Sequence, residues 1–203
     1  MNLEIILQPG AYRLFAARKA DPAFAKFSQR ILRRDNNTCQ FCGFQAKTYQ
    51  EVVNVDQNYY NNKVQNLVTA CCFCTQCFFL ESIGVSYGGG TLIYLPEVNQ
   101  ASLDSFCHVI FCAITNDTGY KSSAQAIYRS LKFRSQAVEN QFGEESSVPA
   151  IFAQMLIESY GNNLEMSKPL LANLRLLPSR AKFAAQIEHW AATALEELST
   201  EEF

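Results

Sequence analysis

Histidine is scarce in this chain, and the place it is missing from matters most. Of 203 residues two are histidine, and neither lies before His108. The first half therefore has no imidazole for proton transfer near neutrality. Also absent is any run of 18 or more apolar residues, or a charged-then-apolar leader at the start. Those absences lead to the expectation of a protein made and kept in the cytoplasm. An excess of positive charge is lacking too: 17 Lys and Arg against 19 Asp and Glu leave a net charge of −2. That balance argues against a general nucleic-acid binder. No internal repeats or low-complexity tracts are visible. With 48% hydrophobic and 18% charged residues, the chain reads as globular.

Cysteine, by contrast, is plentiful, with eight residues. In a cytoplasmic chain these argue for metal and reduced thiols rather than disulfides. Cys39 and Cys42 form a Cys-x-x-Cys pair closed by Gly43, and Cys71 and Cys74 form a second, with Cys72 and Cys77 close by. Two such pairs a few dozen residues apart are the signature of a tetrahedral four-cysteine zinc site. The stretch CCFCTQC holds two overlapping pairs, Cys71 with Cys74 and Cys74 with Cys77, and either could present both sulfurs from a helix start. Against the metal stand two blander readings, buried thiols and a redox pair. A redox pair at Cys71 and Cys77 needs an exposed thiol of low pKa, which zinc would mask.

Around the cysteines the pattern predicts an α+β chain. Residues 3–7, LEIIL, read as a short strand turned by Pro9-Gly10. Asp21-Pro22 reads as a helix start, with Phe24, Phe27 and Ile31 on one side and Lys26, Arg30, Arg33 and Arg34 mostly on the other. Charge is uneven: residues 1–50 carry eight basic against three acidic side chains, residues 51–120 one against six. A basic face can meet phosphate, although a solvated helix side is the commoner explanation. Residues 45–55 are β-like, and Asn61-Asn62 marks a turn.

Gly88-Gly89-Gly90 lacks the lysine of a phosphate-cradling loop and reads as a flexible turn into a strand over 91–95. Leu103, Phe106, Cys107, Ile110, Phe111 and Ile114 form an amphipathic helical stripe. His108 lies beside it with no cysteine or acid at ligand spacing, which reads as a surface or capping histidine. Further helices are expected over 123–140, from Pro149, over 166–177 ending at Pro178, and from Ser179 with Phe183, Ile187 and Trp190 inward. Glu196, Glu197, Glu201 and Glu202 suggest a frayed, solvated tail. The expected division is residues 1–87, carrying the cysteines, and a helical region 88–203 packed on it as one unit.

The series FSQRILRRDNNTCQFCG, NVDQ and NNKVQNLVTACCFC resembles the zinc-stapled HNH endonuclease module, a treble-clef-type fold. Matched by motif, Asn66-Leu67 aligns with the family's Asn-Leu, which places Cys71 and Cys74, beside Cys39 and Cys42, as the four zinc ligands. Gln57 stands where that family has its catalytic histidine, and Thr75 follows the second cysteine pair. The resemblance thus implies the scaffold without the nuclease chemistry. Over roughly residues 3 to 195, including GGGTLIYLPE, CHVIFCAITNDTGYKSSAQAIYRS and LLPSRAKF, the chain also resembles the DotN/IcmJ family of type IVB (Dot/Icm) secretion systems. That resemblance implies a cytoplasmic, non-enzymatic zinc protein binding the C-terminal tail of the coupling ATPase DotL. DotM, IcmS, IcmW and LvgA would join it at the inner face of the inner membrane, in a complex that recruits effectors. No small-molecule substrate or catalytic residue is implied, and membrane association would come only through partners.

Overall fold

In the computed structural model, which describes residues 1–201, the chain begins without the strand expected over residues 3–7. Leu3 and Ile5 are buried at alternate positions, which is the pattern that reads as β. Only Ile6 pairs, however: its N–H donates to the Cys77 carbonyl at 2.7 Å and its carbonyl accepts from Leu80 N at 3.1 Å. One paired residue does not make a ladder.

Helix α1, Ala11–Ala20, has no clear apolar stripe and was not legible in the sequence. It buries Ala11, Phe15 and the guanidinium of Arg18. Helix α2, Pro22–Arg34, begins as its cap residues dictate, with Asp21 accepting from Ala23 N and Phe24 N. Phe24 and Ile31 face inward while Lys26, Arg30 and Arg33 are exposed. Strands β1, Gln50–Asn54, and β2, Leu67–Cys71, pair antiparallel from Gln50↔Cys71 to Asn54↔Leu67. Strand β2 thus ends on the first cysteine of the second pair, and the short helix α3, Cys72–Gln76, follows at once.

Strand β3, Gly90–Tyr94, pairs antiparallel with β4, Leu174–Pro178. This corrects the leucine-rich helix expected over 166–177, where only a 3-10 turn and the four-residue α8, Lys168–Leu171, are helical. The error has a physical source. Leu170, Leu171, Leu174 and Leu177 sit at helical spacing, but β3 offers a partner edge and buries Leu174, Leu176 and Leu177. Pro178 closes the strand opposite Gly90, at its end, where a missing N–H is tolerated.

The glycine run before β3 is close-packed rather than a flexible turn. A Cβ on Gly88 would lie 2.6 Å from Gln76 Oε1 and 2.9 Å from Phe183, and one on Gly90 would lie 2.7 Å from the Leu177 carbonyl oxygen.

Helix α4, Gln100–Thr115, buries the expected stripe except Phe106, which is 42% exposed. The single helix expected over 123–140 is two, α5, Lys121–Phe133, and α6, Ser135–Phe142. They break at Arg134, whose carbonyl accepts from Tyr94 N on β3 and whose side chain reaches Glu97. Helix α7, Pro149–Tyr160, lies where expected, whereas helix α9, Ala184–Glu201, begins five residues after the expected cap at Ser179, whose Oγ accepts from Lys182 N in the turn before it. Glu202 of the expected acidic tail lies outside the described residues. A single large set of buried side chains runs from Leu3 through the cysteine segment to Trp190, with a smaller one under α2 at Phe24, Ile31, Val52 and Leu67.

Candidate metal centre

Local backbone geometry brings the cysteines together. After α2 the chain turns so that Cys39 N donates to the Phe44 carbonyl and Gly43 N to the Cys39 carbonyl. Gly43 sits at φ 78°, a conformation costly for residues with a Cβ. Gln40 N donates to the Thr69 carbonyl, tying this turn to β2. Cys71 ends β2, and its sulfur accepts from Cys74 N at 3.5 Å. As a result the sulfurs of Cys39, Cys42, Cys71 and Cys74 all lie within 4.8 Å of one another. Cys42 and Cys71 are the pair at 3.6 Å. A tetrahedral zinc with Zn–S bonds of about 2.3 Å sets its sulfurs about 3.8 Å apart, so the cluster is compatible with a metal ion of that size. Cys77 is not in the cluster; it is buried and points its thiol at the Phe73 carbonyl. Cys72 and Cys107 are likewise buried and free.

Electrostatics favour a cation among these four sulfurs. Burial pushes the Cys71 and Cys74 thiols well above their ordinary range. Hydrogen bonds from Cys42, Cys71 and Cys74 pull Cys39 the other way. Thiols packed this closely share one negative charge readily but carry four only around a positive ion. A divalent metal held by Cys39, Cys42, Cys71 and Cys74 would displace those protons and supply that charge.

His108 is not a surface histidine. It is 8% exposed, and its Nε2 lies 3.3 Å from Cys71 Sγ. The imidazole is stacked between Phe44, at 3.6 Å and 6°, and Phe73, at 4.3 Å and 17°. Burial lowers its pKa to about 3, so the ring is neutral in any physiological medium. Sequence reasoning missed it because its partner is 37 residues away on another element. The one usable signal was its place next to Cys107 on the stripe. Asp104, one turn earlier on α4, is fully buried and accepts from Gln100 Nε2. Burial pushes its carboxyl up to about 8, against hydrogen bonding with Cys74 and Gln100.

The residues aligned with the nuclease site are occupied otherwise. The Asp56 carboxylate accepts from Asn58 N, Asn61 Nδ2 and Asn66 Nδ2. Despite some desolvation, these bonds hold it below the usual carboxylate range. Gln57 has a left-handed backbone, φ 60°. Nearby, buried Arg18 donates to Asn54 Oδ1, Asn62 Oδ1 and the Val52 carbonyl and stacks on Phe24, fixing α1 to β1. On the exposed side of α2, Lys26, Arg30 and Arg33 make no ion pair among the described residues.

No family model matches the chain. A curated relative, the type 4 apparatus protein DotN of Legionella pneumophila (strain Philadelphia 1), is 64% identical over 199 residues, covering 98% of this chain and 93% of that protein. The chain belongs to the DotN family. The match extends over both the cysteine segment and the helices after it. No helix among the described residues is long and apolar enough to cross a membrane.

Proposed function

We propose that this DotN-family chain is a non-enzymatic subunit of the type IVB secretion coupling complex. In this reading it binds the C-terminal tail of the coupling ATPase DotL and, with DotM, IcmS, IcmW and LvgA, builds the platform that receives effectors. It acts in the cytoplasm, at the inner face of the inner membrane. One structural zinc, held by Cys39, Cys42, Cys71 and Cys74, makes residues 1–87 rigid enough to present a surface, and residues 88–203 pack on them. The observation that carries the reading is the near-full-length identity to a type 4 apparatus protein.

The surface supports it. A groove of about 750 Å³ runs along Asn2–Gln8, with Leu164, Glu165, Ser167, Lys168, Leu174 and Arg175 among the residues of its other wall. Along it the backbone groups of Leu3, Ile5 and Leu7 make no hydrogen bond among the described residues. Unpaired backbone beside a groove suits an extended peptide, which adds main-chain hydrogen bonds and drops side chains into pockets.

A second reading, a degenerate HNH-type nucleic-acid binder or nuclease, draws on the unpaired Lys26, Arg30 and Arg33. One experiment separates the two. Zinc-loaded protein is mixed with the recombinant ATPase tail, and separately with duplex DNA, and titrated from low to high salt. Stable co-elution with the tail at high salt is expected, because phosphate contacts weaken steeply with salt while a groove-bound peptide does not. Failure to bind the tail, with salt-sensitive DNA binding lost on Arg30→Ala and Arg33→Ala, refutes the proposal.

A further inference from the structure

We infer that His108 is a positioning residue of the metal centre: its Nε2–H donates to Cys71 Sγ, so that α4, outside the cysteine-bearing segment, helps hold the metal. This goes beyond the secretion reading and rests only on the four sulfurs binding a metal.

Three observations carry it. First, Nε2 lies 3.3 Å from the sulfur, within reach of a hydrogen bond to sulfur. Second, the ring has no freedom to turn away. Phe44 stacks on one face and Phe73 on the other, and Trp190 meets it edge-on at 5.1 Å. Third, a metal-bound thiolate only accepts, and an imidazole protonated at Nε2 places its N–H on that sulfur, so this arrangement satisfies both groups. Cys71 then receives two donors, this one and Cys74 N. Four thiolates around a divalent ion leave surplus negative charge, and donors to sulfur disperse it. Outer groups of this kind orient ligands and tune affinity.

The arrangement also ties the two halves of the chain to the metal. Phe44 follows the first cysteine pair and Phe73 lies inside the second group, whereas His108 comes from α4 and Trp190 from α9. Trp190 in turn donates to the Thr48 carbonyl at 3.2 Å. A metal held by the four sulfurs would therefore sit against the helical packing, where the chain's single tryptophan would report on it.

The test uses full-length zinc-loaded protein and two variants. His108→Phe keeps a ring in the sandwich and loses the donor; His108→Gln keeps an N–H donor and loses the ring. Zinc transfer to a chromogenic chelator should be about 10- to 100-fold faster for the Phe variant, the usual loss when an outer donor is removed. The Gln variant should fall close to wild type. In cobalt-substituted protein the thiolate-to-cobalt absorption should move to lower energy for Phe and not for Gln. Trp190 emission should shift on metal removal. The reverse order, Phe like wild type and Gln leaking metal, overturns the donor role and leaves His108 as packing. If the Phe variant does not fold, wild type loaded with NMR-active cadmium decides. Coupling from the His108 ring N–H proton through Cys71 to the metal is expected, and its absence overturns the inference. A wild-type protein that binds no metal overturns this and the metal reading together, whereas equal release rates from loaded proteins overturn only this one.

Discussion

Replacing Gly88 by alanine tests whether the glycine run is a flexible turn or a close-packed joint. Gly88 sits at φ 57°, where an alanine costs about 1–2 kcal/mol relative to glycine. Its Cβ would also lie 2.6 Å from Gln76 Oε1 and 2.9 Å from Phe183. Gln76 is fully buried and its Oε1 accepts from Gly89 N, so it has no open direction in which to retreat. Overpacking of this kind costs about 1–3 kcal/mol, for a total of about 2–5 kcal/mol. For a chain of this size each kcal/mol lowers the melting temperature by about 2–4 °C, so a central value near 3 kcal/mol predicts a drop of about 6–12 °C. Gly90→Ala meets a backbone carbonyl at 2.7 Å and should fall by a similar amount. Gly89→Ala meets Lys182 at Cγ, 2.5 Å, and at Cβ, 2.9 Å, the backbone end of that side chain, so it should fall as well. Gly119→Ala is the control: nothing lies within 4 Å and its φ is ordinary, so it should match or slightly exceed wild type. The assay is thermal melting followed by circular dichroism on zinc-loaded proteins. Melting of Gly88→Ala and Gly90→Ala within about 1 °C of Gly119→Ala would falsify the packing argument.

The remaining expectations concern the metal centre and the polar ties around it. Cys39→Ser or Cys71→Ser should lose bound zinc and destabilise the fold, because metal binding here is folding energy, while Cys77→Ser should keep its zinc; elemental analysis of the purified variants decides, and zinc loss in Cys77→Ser would move the second ligand pair to Cys74 and Cys77. Arg18→Ala should cost about 2–4 kcal/mol by leaving Asn54 Oδ1 and the Val52 carbonyl unpaired in the interior, and a urea midpoint equal to wild type would contradict the buried network. Asp35→Asn weakens the bonds from Arg34 and from Thr69 N, which outweigh burial and keep the Asp35 carboxyl below its usual range. A depressed carboxylate contributes stability above its unfolded pKa of about 4 and loses it as pH falls through the folded value, so the melting gap between wild type and Asp35→Asn should be constant from neutrality to about pH 5 and close below about pH 4. Metal loss in acid is common to both proteins and cancels in that difference; a gap that widens in acid would show the sign to be wrong.

What the sequence disclosed and what it hid divide along a physical line. The cysteine pairs, the Asp21 cap of α2, the stripe of α4 and the Pro149 start of α7 are local signals, set by residues within two turns of one another. They were legible. The helix–strand confusion at 174–178 arose because Leu174 and Leu177 fit helical spacing while Leu174 and Leu176 fit strand spacing, and only the partner edge of β3 decides between them. The break at Arg134 has no local breaker residue; it follows from a bond to Tyr94, 40 residues earlier. The glycine run lacked any phosphate motif, but its steric role depends on Gln76 and Phe183, which the chain alone does not place beside it. His108 is the strongest case. Read by spacing it has no ligand near it, and the sulfur it meets is reached only once α4 is packed against α3.

The two histidine observations bear on one another. A hydrolytic site of the HNH type needs an imidazole open to water and a carboxylate with lone pairs free for a divalent ion. At the corresponding place this chain has Gln57, which cannot take a proton, and Asp56, whose carboxylate already accepts three hydrogen bonds from Asn58, Asn61 and Asn66. The imidazole the chain does have close to the cysteines is buried, neutral and stacked between Phe44 and Phe73. Such a ring cannot exchange protons with a substrate in water, but it can hold a thiolate in place. Gln57→His alone should therefore give no DNA nicking in the presence of magnesium or manganese. Restoring the imidazole leaves Asp56 committed to its asparagines and adds no further metal ligand. Nicking activity in that single variant would show that the asparagine bonds yield easily to a metal ion, and the argument from occupied lone pairs would fail.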